Sequence, residues 1–254
     1  MKGRLFLVPT PLDHGCAEQT PLDDVLPLGT IKKAAAIACW IGENAKSTRA
    51  FLKRVDALVP LAQPIQTQQI TELPREVHKK GDHAGAARFD ARPLLAPALQ
   101  GQDVGLISEA GMPAVADPGS SVVRAAHQLG IEVLPLTGPV SLLLALAASG
   151  LNGQNFAFIG YLPQDASART TQIQQISRAV QQSGQTRIVI ETPYRNQVLL
   201  EALLSGLDGQ LRLCVASGLT LPDADGARSA SVAEWRQARW PVTPKAPAVF
   251  LIGR

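Results

Sequence analysis

The chain has 254 residues, of which 46% are hydrophobic and 18% are charged, with a formal net charge of +3. This length and apolar content exclude a disordered chain and allow a real core in one large or two modest domains. The small positive charge permits a nucleic-acid partner without arguing for one. Only 4% of the residues are aromatic, which leaves little material for stacking unpaired bases.

Targeting and redox signals are scarce. No apolar stretch reaches the length of a membrane helix, and the N-terminus lacks a basic start followed by an apolar signal core. We therefore expect a cytoplasmic protein with no membrane partner. The three cysteines, Cys16, Cys39 and Cys214, lie far apart, with no histidine at metal spacing. Neither a disulfide framework nor a metal site is expected.

The first predicted element is a strand over Arg4 to Val8, closed by Pro9, Thr10 and Pro11. Two prolines restrict the backbone, so this bend is either a preset wall beside a ligand or simply the end of a strand. His14, in the same loop, is either a general base or an exposed surface residue.

A helix with a basic face is predicted next. Residues 31–41 indicate the end of one helix and a second strand, and Asn44 is a candidate cap for the following helix. In that helix Lys46, Arg49 and Lys53 fall on one face. The face either meets phosphate groups or is an ordinary solvated surface.

Residues 60–92 are rich in Gln, Pro, Gly and charge, which predicts an irregular excursion before the central strand. The excursion is either a solvated connection or a flap that grips a substrate. Among its basic residues are Arg75, His78, Lys79, Lys80, His83 and Arg88.

The centre of the chain, Asp103 to Asn152, reads as strand, loop, helix, strand, loop, helix. Each apolar strand stops at a Gly- and Pro-rich bend and is followed by an apolar helix, which is typical of buried parallel strands with crossover helices. The predicted strands cover 104–108 and 131–136, and the predicted helices cover 120–129 and 140–149.

The first of these bends runs from Glu109 to Pro113 and continues to Asp117, Pro118 and Gly119. Open parallel sheets bind ligands beyond the carboxyl ends of their strands, and a carboxylate such as Glu109 accepts hydroxyl or ammonium hydrogens. Alternatively, glycine and proline merely punctuate a buried unit. Neither bend has the glycine pattern of dinucleotide- or triphosphate-binding loops.

The remainder of the chain again alternates strands and helices. The predicted strands are 155–161, 187–191, 211–216 and 249–252, and the predicted helices are 167–183 and 192–204. We place a domain boundary near Leu151, between an N-terminal α/β domain, residues 1–150, and a C-terminal α/β domain, residues 151–254. The predicted class is α/β with mostly parallel or mixed sheets.

A family resemblance rests on these runs. LISEAGMPAVADPG followed by PLTGPVSLLLALAASGL resembles the central block of the tetrapyrrole methylase superfamily, whose members use S-adenosylmethionine. The nearest branch is that of the bacterial small-subunit ribosomal RNA 2'-O-cytidine methyltransferases. VPTP matches that branch, and GYLP, IETPYRN and LCVASGLT resemble its second domain. The resemblance covers nearly the whole chain.

Departures from that branch fall on the side expected to face the substrate. Where the branch has Glu-Asp-Thr-Arg-x-Thr, this chain keeps Glu43 and Thr48 but has Asn44 and Lys46. A lysine is a point charge rather than a planar fork, so identical substrate chemistry is not implied.

Further departures lie in three other loops. Met112 stands where the branch has Thr, the segment from Pro222 to Asp225 replaces a His-Glu-Glu-like segment, and the run from Lys245 to Ala248 replaces a Lys-Gly-Glu turn. The chain therefore resembles a divergent offshoot of the branch.

The resemblance implies methyl transfer from S-adenosylmethionine folded in a cleft between the two domains. The protein then chiefly aligns nucleophile, carbon and sulfur and excludes water. The cofactor-binding residues implied by the motif matches are Pro9, Thr10, Ser108, Glu109, Gly111, Met112, Ser141, Leu142, Leu162, Ala216 and Ala248.

Glu43 and Lys46 are the candidate catalytic residues, since a ribose hydroxyl gains from a nearby base or cation; the alternative is an ordinary ion pair. Three functions stay open: a methyltransferase for the ribose 2'-hydroxyl of RNA, one for a tetrapyrrole or other small molecule, and a non-catalytic cofactor-binding protein. The resemblance also implies a homodimer.

Overall fold

The computed structural model describes residues 1–74, 77, 89–222, 226–240 and 247–254. Its contacts divide the chain into two compact units, residues 1–14 with 20–140, and residues 15–19 with 141–254. The division thus falls at residue 141, whereas the sequence placed a boundary near Leu151. The physical reason is that the helix Ser141–Ser149 packs on strands of the second unit's sheet.

The first unit is a parallel sheet covered by helices. Its elements in chain order are β1 (Leu5–Val8), α1 (Leu22–Val25), α2 (Leu28–Ala36), β2 (Cys39–Gly42), α3 (Ala45–Asp56), β3 (Gln69–Glu72), α4 (Ala96–Leu99), β4 (Val104–Ile107), α5 (Ser120–Gln128) and β5 (Val133–Pro135). The strand order is β3-β2-β4-β1-β5, and all neighbouring strands are parallel.

Both faces of this sheet are apolar, because helices cover both. One face packs Leu5, Ile41 and Leu106 against α5, and the other packs the residues around Trp40 against α2 and α3. Gly105 leaves room for the Trp40 ring, since a Cβ at Gly105 would lie 2.6 Å from it. The predicted βαβ pattern is confirmed here.

The second unit has a mixed sheet. Its elements are α6 (Ser141–Ser149), β6 (Phe156–Tyr161), α7 (Ala166–Ser183), β7 (Thr186–Glu191), α8 (Asn196–Gly206), β8 (Arg212–Ser217), β9 (Gly226–Ser231), α9 (Val232–Ala238) and β10 (Ala248–Gly253). The strand order is β6-β7-β10-β8-β9, with β6 parallel to β7 and the other pairs antiparallel. The expected combination of parallel and mixed sheets is confirmed.

Five elements were missed, and two of them are the one-turn helices α1 and α4, which lie in stretches with no prediction. β3 lies inside the segment for which an irregular excursion was predicted, and β9 and α9 lie in a stretch with no prediction. Both missed strands are at sheet edges, where β3 is largely exposed and β9 is mostly part-exposed, so they need few apolar residues.

Some predicted features fall outside the described residues, namely the basic residues Arg75, His78, Lys79, Lys80, His83 and Arg88, together with Asp223, Ala224, Asp225 and Lys245. Among the helices of the described segments, none combines the length and apolar content needed to cross a membrane.

Candidate active site

Two loops are fastened together where β1 and β4 end. The Thr10 backbone N–H donates to the Gly111 carbonyl at 2.9 Å, and the Gly111 N–H donates back to the Thr10 carbonyl at 3.1 Å. The Thr10 hydroxyl donates to the Ser108 carbonyl at 3.2 Å. The loops predicted to line a site therefore meet at the carboxyl edge of the sheet, where open α/β sheets bind ligands.

Two glycines let these loops approach closely. Gly111 has φ +74°, a left-handed conformation that favours glycine. At Gly138, in the bend after β5, a Cβ would overlap the Pro9 ring and lie 2.9 Å from a methyl group of Leu26. A third loop therefore closes against the first two.

Acidic side chains come together at this edge. Glu43 follows β2 directly, and its Oε1 accepts a hydrogen bond from the Glu109 backbone N–H at 3.1 Å. The Glu109 carboxylate lies 3.3 Å from His14 Nε2. Loops after β1, β2 and β4 are thus linked through titratable groups, and Glu43 is placed next to the predicted cofactor loop.

Asp117 is a functional candidate that sequence reasoning did not assign. Its pKa is raised to about 7, first by burial and then by the negative charge of Glu43, with a smaller contribution from Glu109; a hydrogen bond from Ser108 acts in the opposite direction. A carboxyl group that ionises near neutral pH suits proton transfer. The only sequence signal was an acidic residue inside the second Gly- and Pro-rich part of the bend.

The loop that carries Asp117 has a strained backbone. Ala114 and Ala116 both have φ of 65°, in the left-handed region that non-glycine residues seldom adopt. The Ala114 N–H donates to the Pro118 carbonyl at 3.2 Å and holds the turn. Such strain, about 1 kcal/mol or more per residue, clusters at functional sites.

The predicted cap and basic face of α3 are confirmed. The Asn44 side chain accepts from the backbone N–H of Lys46 at 2.8 Å and of Ser47 at 3.4 Å. Lys46, Arg49 and Lys53 are all exposed. This basic face begins directly after Glu43.

Asp13 stabilises the loop after β1 from within. It is 4% exposed, and both its oxygens accept from the Arg54 guanidinium at 3.1 and 3.0 Å. It also accepts from the Thr20 N–H at 3.2 Å. His14 is therefore held next to a fixed residue, although its own side chain is exposed.

Met112 contributes to an open, mainly apolar groove of about 650 Å³ on the first unit. The groove lies between α5 and β5, with Leu7, Val123 and Pro135 among its apolar lining and Arg124 and His127 among its polar lining.

In the second unit, three predicted residues lie at one edge of the sheet. Leu162 follows β6, Ala248 opens β10, and Ala216 lies one residue before the end of β8. Ala248 pairs with Glu191, the last residue of β7, and with Ser217, the last residue of β8. The start of β10 and the ends of β7 and β8 therefore lie at the same edge. All three predicted side chains are buried and apolar.

Ser141 and Leu142 start α6 in the same unit, with Leu142 buried. Whether these five second-unit residues contact a cofactor stays a prediction. Across the described segments of the chain, no group of three or more His, Cys, Asp or Glu side chains could hold a metal ion.

Comparisons with known proteins agree on one family. The family model for tetrapyrrole (corrin/porphyrin) methylases matches residues 28–229, well over half of the chain. A small-subunit ribosomal RNA methyltransferase I from Pseudomonas aeruginosa is 34% identical over 224 residues, which cover 86% of this chain and 67% of that protein.

A second relative, the small-subunit ribosomal RNA methyltransferase I of Halalkalibacterium halodurans, is 30% identical over 80% of this chain and 60% of its own length. This chain therefore spans about two thirds or less of these relatives. A solved structure of uroporphyrin-III C-methyl transferase from Thermus thermophilus, complexed with S-adenyl homocysteine, has a TM-score of 0.54 and 18% identity, covering 99% of this chain and 98% of that one. That likeness shows the fold.

Proposed function

The chain belongs to the tetrapyrrole methylase family, and from this premise we propose that it is an S-adenosylmethionine-dependent methyltransferase that acts on a ribose 2'-hydroxyl of an rRNA-like acceptor. The observation that carries the proposal is the cluster of Glu43, Glu109 and Asp117 at the carboxyl edge of the first sheet. A hydroxyl acceptor has to lose a proton, and Glu43 in this cluster supplies a base for it.

The residues of the first unit fit the cofactor. S-adenosylmethionine carries a sulfonium and an ammonium group, and carboxylates such as Glu109 attract both. The loops approach closely at Gly111 and Gly138, so their backbone N–H and C=O groups lie at the same edge of the sheet as Glu109. Pro9, Thr10, Ser108 and Met112 would form the walls.

Proton removal is the step for which this chain supplies the groups. The bound cofactor supplies a methyl group already activated by its sulfonium. Glu43, held by the Glu109 amide, would accept the hydroxyl proton as the hydroxyl oxygen takes the methyl group and the methyl–sulfur bond breaks, with its electron pair left on sulfur as a thioether. Asp117 would keep its own proton below about pH 7, so that it limits the negative charge beside Glu43.

The acceptor is proposed to be RNA because of the basic face of α3 and the names of the relatives. Lys46, Arg49 and Lys53 are exposed on a helix that begins beside Glu43, so phosphate groups bound there would bring a ribose to the cluster. Lys46 would lie nearest the reacting hydroxyl. A homodimer and a cytoplasmic location, where ribosomal RNA is modified, complete the proposal.

The test is methyl transfer from labelled cofactor to total lysate of cells that lack the gene, followed by size fractionation and nuclease digestion. We expect label in nuclease-sensitive RNA, with a rate that falls steeply as salt rises. Label in a low-mass fraction would favour the small-molecule acceptor instead. Binding without transfer would leave a cofactor-binding protein, and no binding heat with folded protein would contradict the proposal entirely.

A further inference from the structure

Exposed aromatic rings are confined to one part of the second unit. Among the residues that the structure describes, the exposed Phe, Tyr and Trp side chains are those of Phe156, Phe158, Tyr161 and Tyr194, which are 41%, 39%, 58% and 88% exposed. The first three lie on β6, and Tyr194 lies in the turn after the neighbouring strand β7. A chain with only 4% aromatic residues thus carries its exposed rings on one strand and on the turn after the neighbouring strand.

A β-bulge puts Tyr161 on the same face as Phe158. The register between β6 and β7 shifts between Phe158 and Gly160, where φ is +84°. Phe158 pairs with Ile188, and Tyr161 pairs with Ile190. Ile188 and Ile190 are two residues apart on β7 and share a face, so their partners on β6 share that face as well. Without the extra residue, Tyr161 would point to the opposite face.

Tyr194 is presented on a fixed turn. It lies in a 3-10 helix, Pro193–Arg195, that is anchored through Glu191, whose side chain is 6% exposed. Glu191 accepts from the Thr192 N–H at 2.8 Å and lies 3.3 Å from the Arg195 guanidinium. Because the turn is already ordered, binding a partner on the Tyr194 ring would cost little conformational entropy of the turn.

Both tyrosines lie at the edge that carries the proposed cofactor contacts of this unit. Tyr161 directly precedes Leu162, and Tyr194 follows Glu191, which pairs with Ala248. The rings at this edge are tyrosines, each of which joins an apolar ring face to a polar hydroxyl at its tip. An unpaired nucleobase matches such a ring, because every base has a flat face and stacking tolerates sequence.

We infer that Tyr161 and Tyr194 stack on unpaired bases of the RNA acceptor and position the nucleotide to be methylated. This inference rests on the proposed function and adds the binding residues that its acceptor requires. Unpaired RNA is specified because bases inside a duplex do not offer their faces to a side chain.

The chain has only two tyrosines, which makes a direct test possible. In the full chain labelled with 3-fluorotyrosine, the fluorine spectrum should contain two resonances, assigned by Tyr161→Phe and Tyr194→Phe. Titration with a short unpaired RNA oligonucleotide should shift both. Tyr161→Ala or Tyr194→Ala should weaken binding by roughly 5- to 100-fold, whereas the Phe variants, which keep the ring, should bind nearly as the parent does.

Phe156→Leu is the matched control, since Phe156 is also exposed but lies at the other end of β6. Equal weakening by Phe156→Leu and Tyr194→Ala would overturn the inference, and so would RNA binding with unmoved resonances. Resonances that shift with protein concentration alone would identify a second copy as the occupant and would also overturn it. Shifted resonances without methyl transfer would uphold stacking and contradict the proposed function; methyl transfer with unmoved resonances would do the reverse.

Discussion

The candidate functional edges of the two units carry different kinds of side chain. The edge of the first sheet carries Glu43, Glu109 and Asp117, joined across loops by hydrogen bonds and charge. The edge of the second sheet carries buried apolar residues, Leu162 and Ala248 among them, next to exposed tyrosines. Under the proposed function, the difference assigns proton transfer to the first unit and contact area to the second. Four changes test this division.

The largest effect is expected for Glu43→Gln. The amide oxygen of Gln can still accept from the Glu109 N–H, so the loop should hold, but the base is lost. Turnover on RNA should fall by about 100-fold or more, while cofactor affinity measured by calorimetry should stay close to that of the parent. Glu72→Gln is the control, because Glu72 ends the next strand and also accepts from a backbone N–H, that of Ala45 at 2.6 Å. Small, equal effects of Glu43→Gln on turnover and affinity would discard its assignment as the base.

Leu203→Ala should be the largest stability change. Leu203 is fully buried in the core of the second unit. Its truncation should lower the free energy of unfolding by about 3 kcal/mol. Urea unfolding should give the same loss at about pH 5 and about pH 8, since an apolar cavity does not titrate. Leu143→Ala, at a half-exposed position, should cost little. A strongly pH-dependent loss of unfolding free energy for Leu203→Ala would contradict the contrast between a titrating first unit and an apolar second unit.

Asp117→Asn should increase stability at neutral and higher pH. Burial, reinforced by Glu43, raises the pKa of Asp117 from 3.8 to about 7. The folded state therefore holds this proton more tightly, so the contribution to stability is complete below about pH 4 and is lost as pH rises to about 7. Asparagine removes this loss, and the variant should gain on the order of 2 kcal/mol over the parent above pH 7, after allowance for solvent screening.

Asp103→Asn provides a control of opposite sign. Burial acts to raise the pKa of Asp103, but hydrogen bonds and charge from Arg4 outweigh it and lower that pKa. Asp103→Asn should therefore lose stability relative to the parent above about pH 4. Parallel pH curves for Asp117→Asn and the parent in urea unfolding would contradict the placement of Asp117.

The smallest effect is expected for Asn44→Ala. Loss of the cap should cost about 1 kcal/mol of stability, and Asp165→Ala, which removes the cap of α7 in the second unit, should cost about the same. Only Asn44→Ala should also lower turnover, because its helix begins directly after Glu43. Thermal unfolding and an activity assay check both variants. Equal turnover losses for the two variants would contradict the assignment of proton transfer to the first unit. Asn44→Ser should restore the first unit's cap.

The central βαβ pattern could be predicted because buried parallel strands such as β4 are apolar on both faces. Edge strands carry weaker signals: β3 reads QITE and β9 reads GARSAS, neither of which looks like a buried strand. The contact-based division falls one helix, α6, before the boundary predicted near Leu151, because the apolar sequence of that helix does not say which sheet it covers.

At the candidate site, local features such as the Asn44 cap were predictable from neighbouring residues. The bond between Glu43 and the Glu109 backbone joins residues 66 positions apart, and nothing in either motif specifies it. The raised pKa of Asp117 likewise depends on how the strained turn at Ala114 and Ala116 folds it inward. Such properties follow from tertiary placement and not from residue type.

The strand order of the first sheet also has a consequence during synthesis. β1 lies between β4 and β5, so its partners on both sides are residues 104–107 and 133–135. At roughly 5 to 20 residues per second, the ribosome needs on the order of ten seconds after making β1 to deliver them. During this interval the apolar segment LFLV has no native neighbour, so nascent chains should depend on chaperones for longer than a protein whose first strand forms a hairpin with its second.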